Sequence, residues 1–200
     1  MALFVNLWMK LFFVLTPFFA LTMFLSIADK REEAQRHKLA LSVSAAVAFI
    51  CLLLFFAGNQ LFSVFGITLD SFRVGAGVLL LLSGISLVHG KATVAESAEG
   101  DVVVVPLAIP IIVGPATTGT ILVMGAELTA FGSKLIGCLA MLAAVASVGA
   151  VLYAGSFIQR VVGSRGISIL SRLTGLVLSA IAAQMIMTGV RTFLNLAGDQ

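Results

Sequence analysis

The chain contains six apolar stretches, each long enough to cross a lipid bilayer as an α-helix. A spanning helix needs about 20 predominantly apolar residues. Only 10% of the 200 residues are charged and 60% are hydrophobic, whereas a soluble domain carries about 25% charged residues. The connections between the stretches are short, which predicts an all-α membrane protein with a single transmembrane domain over residues 1–200. The six predicted spans lie near residues 5–28, 39–58, 70–90, 102–126, 134–158 and 168–194.

The positive charges are distributed unequally between the two sides of the predicted membrane domain. The connections after spans 1, 3 and 5 hold eight of the 12 lysine and arginine residues, and the opposite side holds four, Lys10 and Arg73 among them. Because cytoplasmic loops carry the excess of these residues, we expect the odd-numbered connections in the cytoplasm and both termini outside. The net charge of +3 lies in a few connections, so it indicates orientation in the bilayer and not nucleic-acid binding.

The second half of the chain resembles the first at a nearly constant offset. Residues 11–29 overlay residues 109–127 at an offset of 98, and residues 66–77 overlay residues 166–177 at an offset of 100. Three spans per half is an odd number, so the second half must enter the membrane from the opposite side. The sequence therefore predicts two inverted-topology three-helix repeats, over about residues 1–91 and 102–195. Many secondary transporters are built from such repeats.

One apolar stretch in each predicted repeat is interrupted by proline. Proline lacks a backbone N–H and frees the carbonyl one turn earlier in a helix, and in hydrocarbon the freed groups need partners. Spans 1 and 4 are broken in this way, at Thr16–Pro17 and over residues 110–119, which include Gly114–Pro115. Ordinary proline kinks are the alternative to a binding site at these positions. The hydroxyl partners available are those of Thr16, Thr22, Thr117, Thr118 and Thr120.

The chemistry of the two breaks favours a small zwitterion as ligand. The N-terminal amides of a restarted helix carry partial positive charge and suit a carboxylate, whereas freed carbonyls and threonine hydroxyls suit an ammonium group. Gln184, inside span 6, either hydrogen-bonds across helices or lines the pathway. Glu127 and Asp29 end spans 4 and 1, where they cap helices or couple transport to protons, and Arg73 is expected to reach the lipid headgroups.

No enzyme motif and no metal-binding cluster occurs in the predicted spans, and we expect neither an enzyme nor a cofactor. An ionisable residue inside a span would be a mechanistic clue, but none is expected deep within these spans. This pattern favours a carrier whose site consists of backbone groups and hydroxyls. The sequence leaves the oligomeric state open, a homo-oligomer included.

Three segments together resemble the MarC family, also called the small neutral amino-acid transporter family. They are VPLAIPIIVGPATTGTI (105–121), FGITLDSFRVGAGVLL (65–80) and GISILSRLTGLVLSAIAAQMIMTGV (166–190). The resemblance implies a six-span inner-membrane protein that transports alanine- or glycine-like amino acids with an ion gradient of H⁺ or Na⁺. It adds Pro110 and Ala116 to the predicted substrate-binding residues. The full set is Thr16, Pro17, Thr22, Pro110, Gly114, Pro115, Ala116, Thr117, Thr118, Thr120 and Gln184.

The chain departs from the family pattern at both breaks. Thr16 stands where many relatives have Asp or Asn before the proline, and Ala116 replaces the second glycine of a G-P-G signature. These departures leave the substrate and the coupling ion open, and the sequence does not give the direction of transport. An exporter or permease for another small polar metabolite, a channel and a non-transporting membrane scaffold are the alternative hypotheses.

Overall fold

The computed structural model describes residues 1–28, 31–90 and 112–198, and every regular element among them is an α-helix. Left-handed glycines end two of these helices, because glycine adopts positive φ without steric cost: Gly66 (φ 62°) follows α3 and Gly90 (φ 69°) follows α4. The last helix has a non-helical residue at Gly163. The helices are α1 (Ala2–Val14), α2 (Pro17–Ala28), α3 (Glu33–Phe65), α4 (Leu69–His89), α5 (Pro115–Glu127), α6 (Phe131–Tyr153) and α7 (Gly155–Gly198).

Four of the described helices, α3, α4, α6 and α7, are long and apolar enough to cross a membrane individually. α1 and α2 pass the same test only as a pair, which is bent by 41° at the break between them. The 13 residues of α5 measure only about 20 Å, since a helix rises about 1.5 Å per residue. The first part of predicted span 4 lies outside the described residues. The chain is thus a multi-pass helical membrane protein, and the number of six spans stays a prediction.

The broken helices pack reciprocally into opposite halves of the chain. α5, from the second half, lies mainly against α3 and α4, whereas α1 and α2, from the first half, lie against α6 and α7. The most extensive helix pair is α4 with α7, the third helix of each predicted repeat. This exchange is the arrangement expected of two halves related by a two-fold axis, and the inverted repeat itself remains a prediction.

Small residues bring α4 and α7 close together. A Cβ atom at Gly84 would lie 2.8 Å from the carbonyl oxygen of Gly175, and a Cβ atom at Gly175 would lie 2.6 Å from that of Gly84. Such close backbone approach is characteristic of small residues at helix interfaces in membranes. Gly84 lies in the third predicted span and Gly175 in the sixth, so the two glycines join the last spans of the two halves.

Candidate functional site

The predicted break at Thr16–Pro17 is confirmed as a true interruption of the helix. α1 ends at Val14, and α2 begins at Pro17. Thr16 between them has φ 48°, a left-handed conformation that is rare for a β-branched residue. Its N–H donates to the carbonyl oxygen of Phe13 (3.0 Å), and the new helix starts with the bond from the Ala20 N–H to the Thr16 carbonyl oxygen (2.9 Å). The chain therefore carries local strain at this position.

The second break has the same hydrogen-bond arrangement 98 residues later. Gly114 is extended and caps α5, which starts at Pro115. The first helical bond of α5 runs from the Thr118 N–H to the Gly114 carbonyl oxygen (2.9 Å), the counterpart of the bond between Ala20 and Thr16. At each break the helix therefore restarts at a proline, and the next two amide N–H groups precede the first intrahelical bond. These amides carry the partial positive charge of a helix N-terminus.

Thr117 connects the two breaks. Its hydroxyl oxygen lies 3.3 Å from the carbonyl oxygen of Val14, the last residue of α1, and 3.1 Å from that of Ile112. Only 4% of Thr117 is exposed, so the bonds are shielded from solvent. In a continuous helix the Val14 carbonyl would accept from the N–H four residues later, which the break at Thr16–Pro17 prevents. A single hydroxyl hydrogen is thus shared by two freed carbonyls on opposite sides of the interface.

The other predicted residues of the second break differ in their burial. Thr120 is buried, and its hydroxyl donates to the Ala116 carbonyl oxygen at 2.9 Å. Ala116 is also buried, whereas Thr118 and Gly114 are half-buried and Pro115 is exposed. Pro110 lies outside the described residues. Thr117 is thus the predicted hydroxyl that joins the two broken helices.

Two predicted site residues of the first break, Pro17 and Thr22, lie in the same helix but differ in burial. Pro17 is buried at the start of α2. Thr22 is exposed, and its hydroxyl donates to the Phe18 carbonyl oxygen at 3.0 Å. This bond is the counterpart of the bond from Thr120 to Ala116, because both pairs are offset by 98 residues. The Thr22 hydroxyl therefore bonds a carbonyl oxygen of its own helix on an exposed face, and it does not bond the second break.

A cleft of about 340 Å³ lies between α1 and α7 beside the first break. Three of its lining side chains are polar: Asn6, Lys10 and the predicted site residue Gln184. Phe13, in the last turn of α1, also lines the cleft and is adjacent to Val14. The remaining lining residues are Leu7, Met9, Val177 and Ile181. The structure thus connects Gln184 with the first break through α1.

A group of charged residues lies at the C-terminal end of α5. The Arg73 guanidinium donates to Asp70 at 2.7 Å and to Glu127, the last residue of α5, at 2.5 Å. Only 11% of the Arg73 side chain is exposed. The prediction that Arg73 reaches the headgroups is therefore wrong, because two carboxylates hold its guanidinium within the protein. Glu127 is an ion-pair partner, and Asp29 lies outside the described residues.

Comparison with known proteins identifies the family. The sequence profile described as "MarC family integral membrane protein" matches residues 1–194. The chain belongs to the MarC family. A membrane protein of Pyrococcus horikoshii is 33% identical over 94% of this chain and 94% of its own length. A membrane protein of Aquifex aeolicus is 29% identical over 96% and 94%, and YhcE of Escherichia coli is 29% identical over 90% and 88%. No solved structure matches the chain.

Membership of the MarC family confirms the resemblance found in the sequence. It also confirms that the chain is an integral membrane protein. These relatives are named UPF0056 membrane proteins, and the names give no substrate. A transported substrate is therefore a matter for proposal.

Two polar residues of the cleft were missed in the sequence. Lys10 enters the sequence argument only through the charge count, and no motif contains Asn6. The two residues are four apart in α1 and so lie on the same helix face. A polar pair at this spacing within an otherwise apolar stretch was the available signal, since an ionisable residue in a membrane segment is a functional candidate.

Proposed function

We propose that this MarC family member is a secondary transporter of small neutral amino acids, of the alanine or glycine type. We place it in the inner membrane, with both termini outside and an H⁺ or Na⁺ gradient as the driving force. The observation that carries the proposal is the meeting of two broken helices through the Thr117 hydroxyl, which is shared between Val14 and Ile112. Substrate sites on discontinuous helices that meet between repeats are typical of secondary transporters.

The groups at the breaks complement both ends of a small amino acid. The amides after Pro17 and Pro115 precede the first intrahelical bonds of α2 and α5, and they suit a carboxylate. The carbonyl oxygens of Val14 and Ile112 accept a hydrogen bond from Thr117 in the described state. A substrate ammonium group can replace this hydroxyl as donor. Substrate binding would then release the contact between the two broken helices, and this supports alternating access at the site.

The alternatives make different predictions for transport. An exporter or permease for another small polar metabolite has the same geometry and differs in its substrate. A channel conducts without saturation or counterflow. A membrane scaffold keeps its cellular activity when the threonines of both breaks are replaced by valine or alanine. The described structure favours a carrier because the Thr117 hydroxyl of one break binds the Val14 carbonyl oxygen at the other.

Counterflow of radiolabelled alanine and glycine in proteoliposomes tests the proposal. We expect saturable flux in the wild type and a strong reduction in Thr117→Val. Thr117→Ser keeps the hydroxyl and should retain flux. Thr192→Val is the matched control, because the Thr192 hydroxyl donates to the Thr188 carbonyl oxygen within α7 (3.0 Å).

Two outcomes would contradict different parts of the proposal. Absence of saturable flux across a panel of small amino acids would exclude the transport function. Saturable flux that is unchanged in Thr117→Val would exclude the site and leave the function intact. Reporter fusions that are active only outside the cytoplasm test the orientation, since we expect activity at both termini.

A further inference from the structure

We infer that the cleft between α1 and α7 is a second substrate site of the transporter, in which the Lys10 ammonium binds the carboxylate of a small neutral amino acid. The inference rests on the proposed function. It identifies a binding group that the two helix breaks do not contain. The site lies beside the first break because Phe13 lines the cleft and Val14 accepts the hydrogen bond from Thr117.

The charges around Lys10 leave its ammonium available to a ligand. Of the charged residues that the structure describes, Glu127 and Arg73 lie near enough to act electrostatically on Lys10. Among the residues that the structure describes, however, the Glu127 carboxylate is paired with Arg73, and Lys10 belongs to neither of the ion pairs formed by Arg73. A half-buried ammonium on an apolar helix that lines an open cleft is costly in a membrane unless it is paired or solvated. A bound carboxylate would supply the missing partner.

The rest of the lining suits the remaining parts of an amino acid. Gln184 and Asn6 provide amide oxygens that can accept from an ammonium group. Met9, Phe13 and Val177 provide an apolar wall for a short side chain. The volume of about 340 Å³ lies at the lower end of the range for small-molecule sites, roughly 300–1,000 Å³. The cleft therefore favours a small zwitterion over an amine without a carboxylate.

The cleft and the first break are about one helical turn apart along α1. Lys10 and Val14 are four residues apart, which is about 6 Å along a helix. A substrate whose carboxylate is bound to Lys10 is thus about one helical turn from the freed carbonyl of Val14. The two sites are therefore close enough along α1 to bind the same molecule one after the other.

Transport kinetics in liposomes of phosphatidylcholine test the role of Lys10. We expect Lys10→Gln to raise the half-saturating alanine concentration about tenfold or more, as for the loss of a charge-assisted hydrogen bond. Lys10→Arg keeps the charge and should retain most of the affinity. Alaninol, which lacks the carboxylate, should compete poorly with alanine in the wild type. An unchanged half-saturating concentration in Lys10→Gln would overturn the inference while flux upholds the proposed function.

Thiol labelling in the purified protein tests the cleft even if the wild type shows no flux. Gln184→Cys is introduced after Cys51 and Cys138, the two free cysteines, are replaced by alanine. We expect propionate and alanine to slow labelling by a charged thiol reagent and Lys10→Gln to abolish this protection. Equal protection with and without the Lys10 charge would contradict the carboxylate site.

The lipid composition separates the substrate carboxylate from a lipid phosphate. If phosphatidylglycerol slows labelling in the absence of any amino acid, the cleft binds a lipid headgroup and the inference is wrong. If labelling is the same in phosphatidylcholine and phosphatidylglycerol, and only carboxylates protect the introduced cysteine, the substrate assignment is supported. Should Lys10→Gln fail to elute as a folded protein in size-exclusion chromatography, the comparison of propionate with alaninol in the Gln184→Cys variant with Lys10 intact decides the inference: equal protection by both overturns it.

Discussion

The hydroxyl of Thr117 lies 3.3 Å from the carbonyl oxygen of Val14, so one side chain of α5 satisfies the backbone at the end of α1. The two residues are separated by 103 positions in the chain, and each borders a proline-dependent break. The contact therefore fixes the relative position of two helix ends that come from different halves of the protein. Loss of this bond should lower stability and, under the proposed function, reduce transport.

We expect Thr117→Val to lower the melting temperature of the purified protein. Valine preserves the shape of threonine but leaves the carbonyl oxygens of Val14 and Ile112 without this donor. An unsatisfied buried polar group costs about 1–3 kcal/mol. Thermal unfolding in detergent measures the effect, with Thr117→Ser as the control that keeps the hydroxyl.

Thr22→Val provides a comparison in the first break. Its hydroxyl donates only to Phe18, within its own helix, and the residue is exposed. We therefore expect a smaller change in melting temperature than for Thr117→Val. Equal losses in the two variants would contradict the special position of Thr117.

The second prediction concerns the left-handed conformation of Thr16. A left-handed conformation costs an ordinary residue about 1–2 kcal/mol, whereas asparagine adopts it more readily. Thr16 has φ 48°, so Thr16→Asn should relieve strain and raise the melting temperature. Thr22→Asn, in the interior of α2, should give no such gain. A lower melting temperature in Thr16→Asn would show that the threonine side chain stabilises the break by more than its strain costs.

The breaks could be predicted from the sequence because their cause is local. Proline lacks the N–H that the preceding turn requires, and this holds whatever surrounds Pro17 and Pro115. The burial of Thr120 and the exposure of Thr22 could not be predicted in this way. The two residues occupy equivalent positions in the predicted repeats and make equivalent bonds to their own helices. Their environments differ because α5 is enclosed by α3 and α4.

The residues that lie beside Lys10 and Arg73 could not be predicted from the sequence either. Lys10 and Gln184 line the same cleft, although 174 positions separate them. Arg73 binds Glu127, which is 54 positions away. These contacts depend on how α1 crosses α7 and how α5 lies along α4. The positive-inside count treats each cation as an independent charge near a span end. It therefore cannot distinguish a headgroup contact from an ion pair within the protein.

The small-residue contact between α4 and α7 makes a third prediction. A methyl group at Gly84 would lie 2.6 Å from the hydroxyl oxygen of Ser179 and 2.8 Å from the Gly175 carbonyl oxygen. Overpacking of this kind costs typically 1–3 kcal/mol, so Gly84→Ala should lower the melting temperature. At Gly75, in the same helix, nothing lies within 4 Å of an added Cβ. Gly75→Ala should have an equal or higher melting temperature, because alanine favours helices.

The ion pairs of Arg73 make the fourth prediction. Removing the guanidinium in Arg73→Gln leaves the carboxylates of Asp70 and Glu127 without this partner. A hydrogen bond to a charged group contributes about 1.5–3 kcal/mol, and we expect the lower end because 38% of the Glu127 side chain is exposed. Glu127→Gln alone should also destabilise. If the two residues act as a pair, the double variant loses less stability than the sum of the single losses. Strictly additive losses in melting temperature would show that Arg73 stabilises the fold through Asp70 and not through the end of α5.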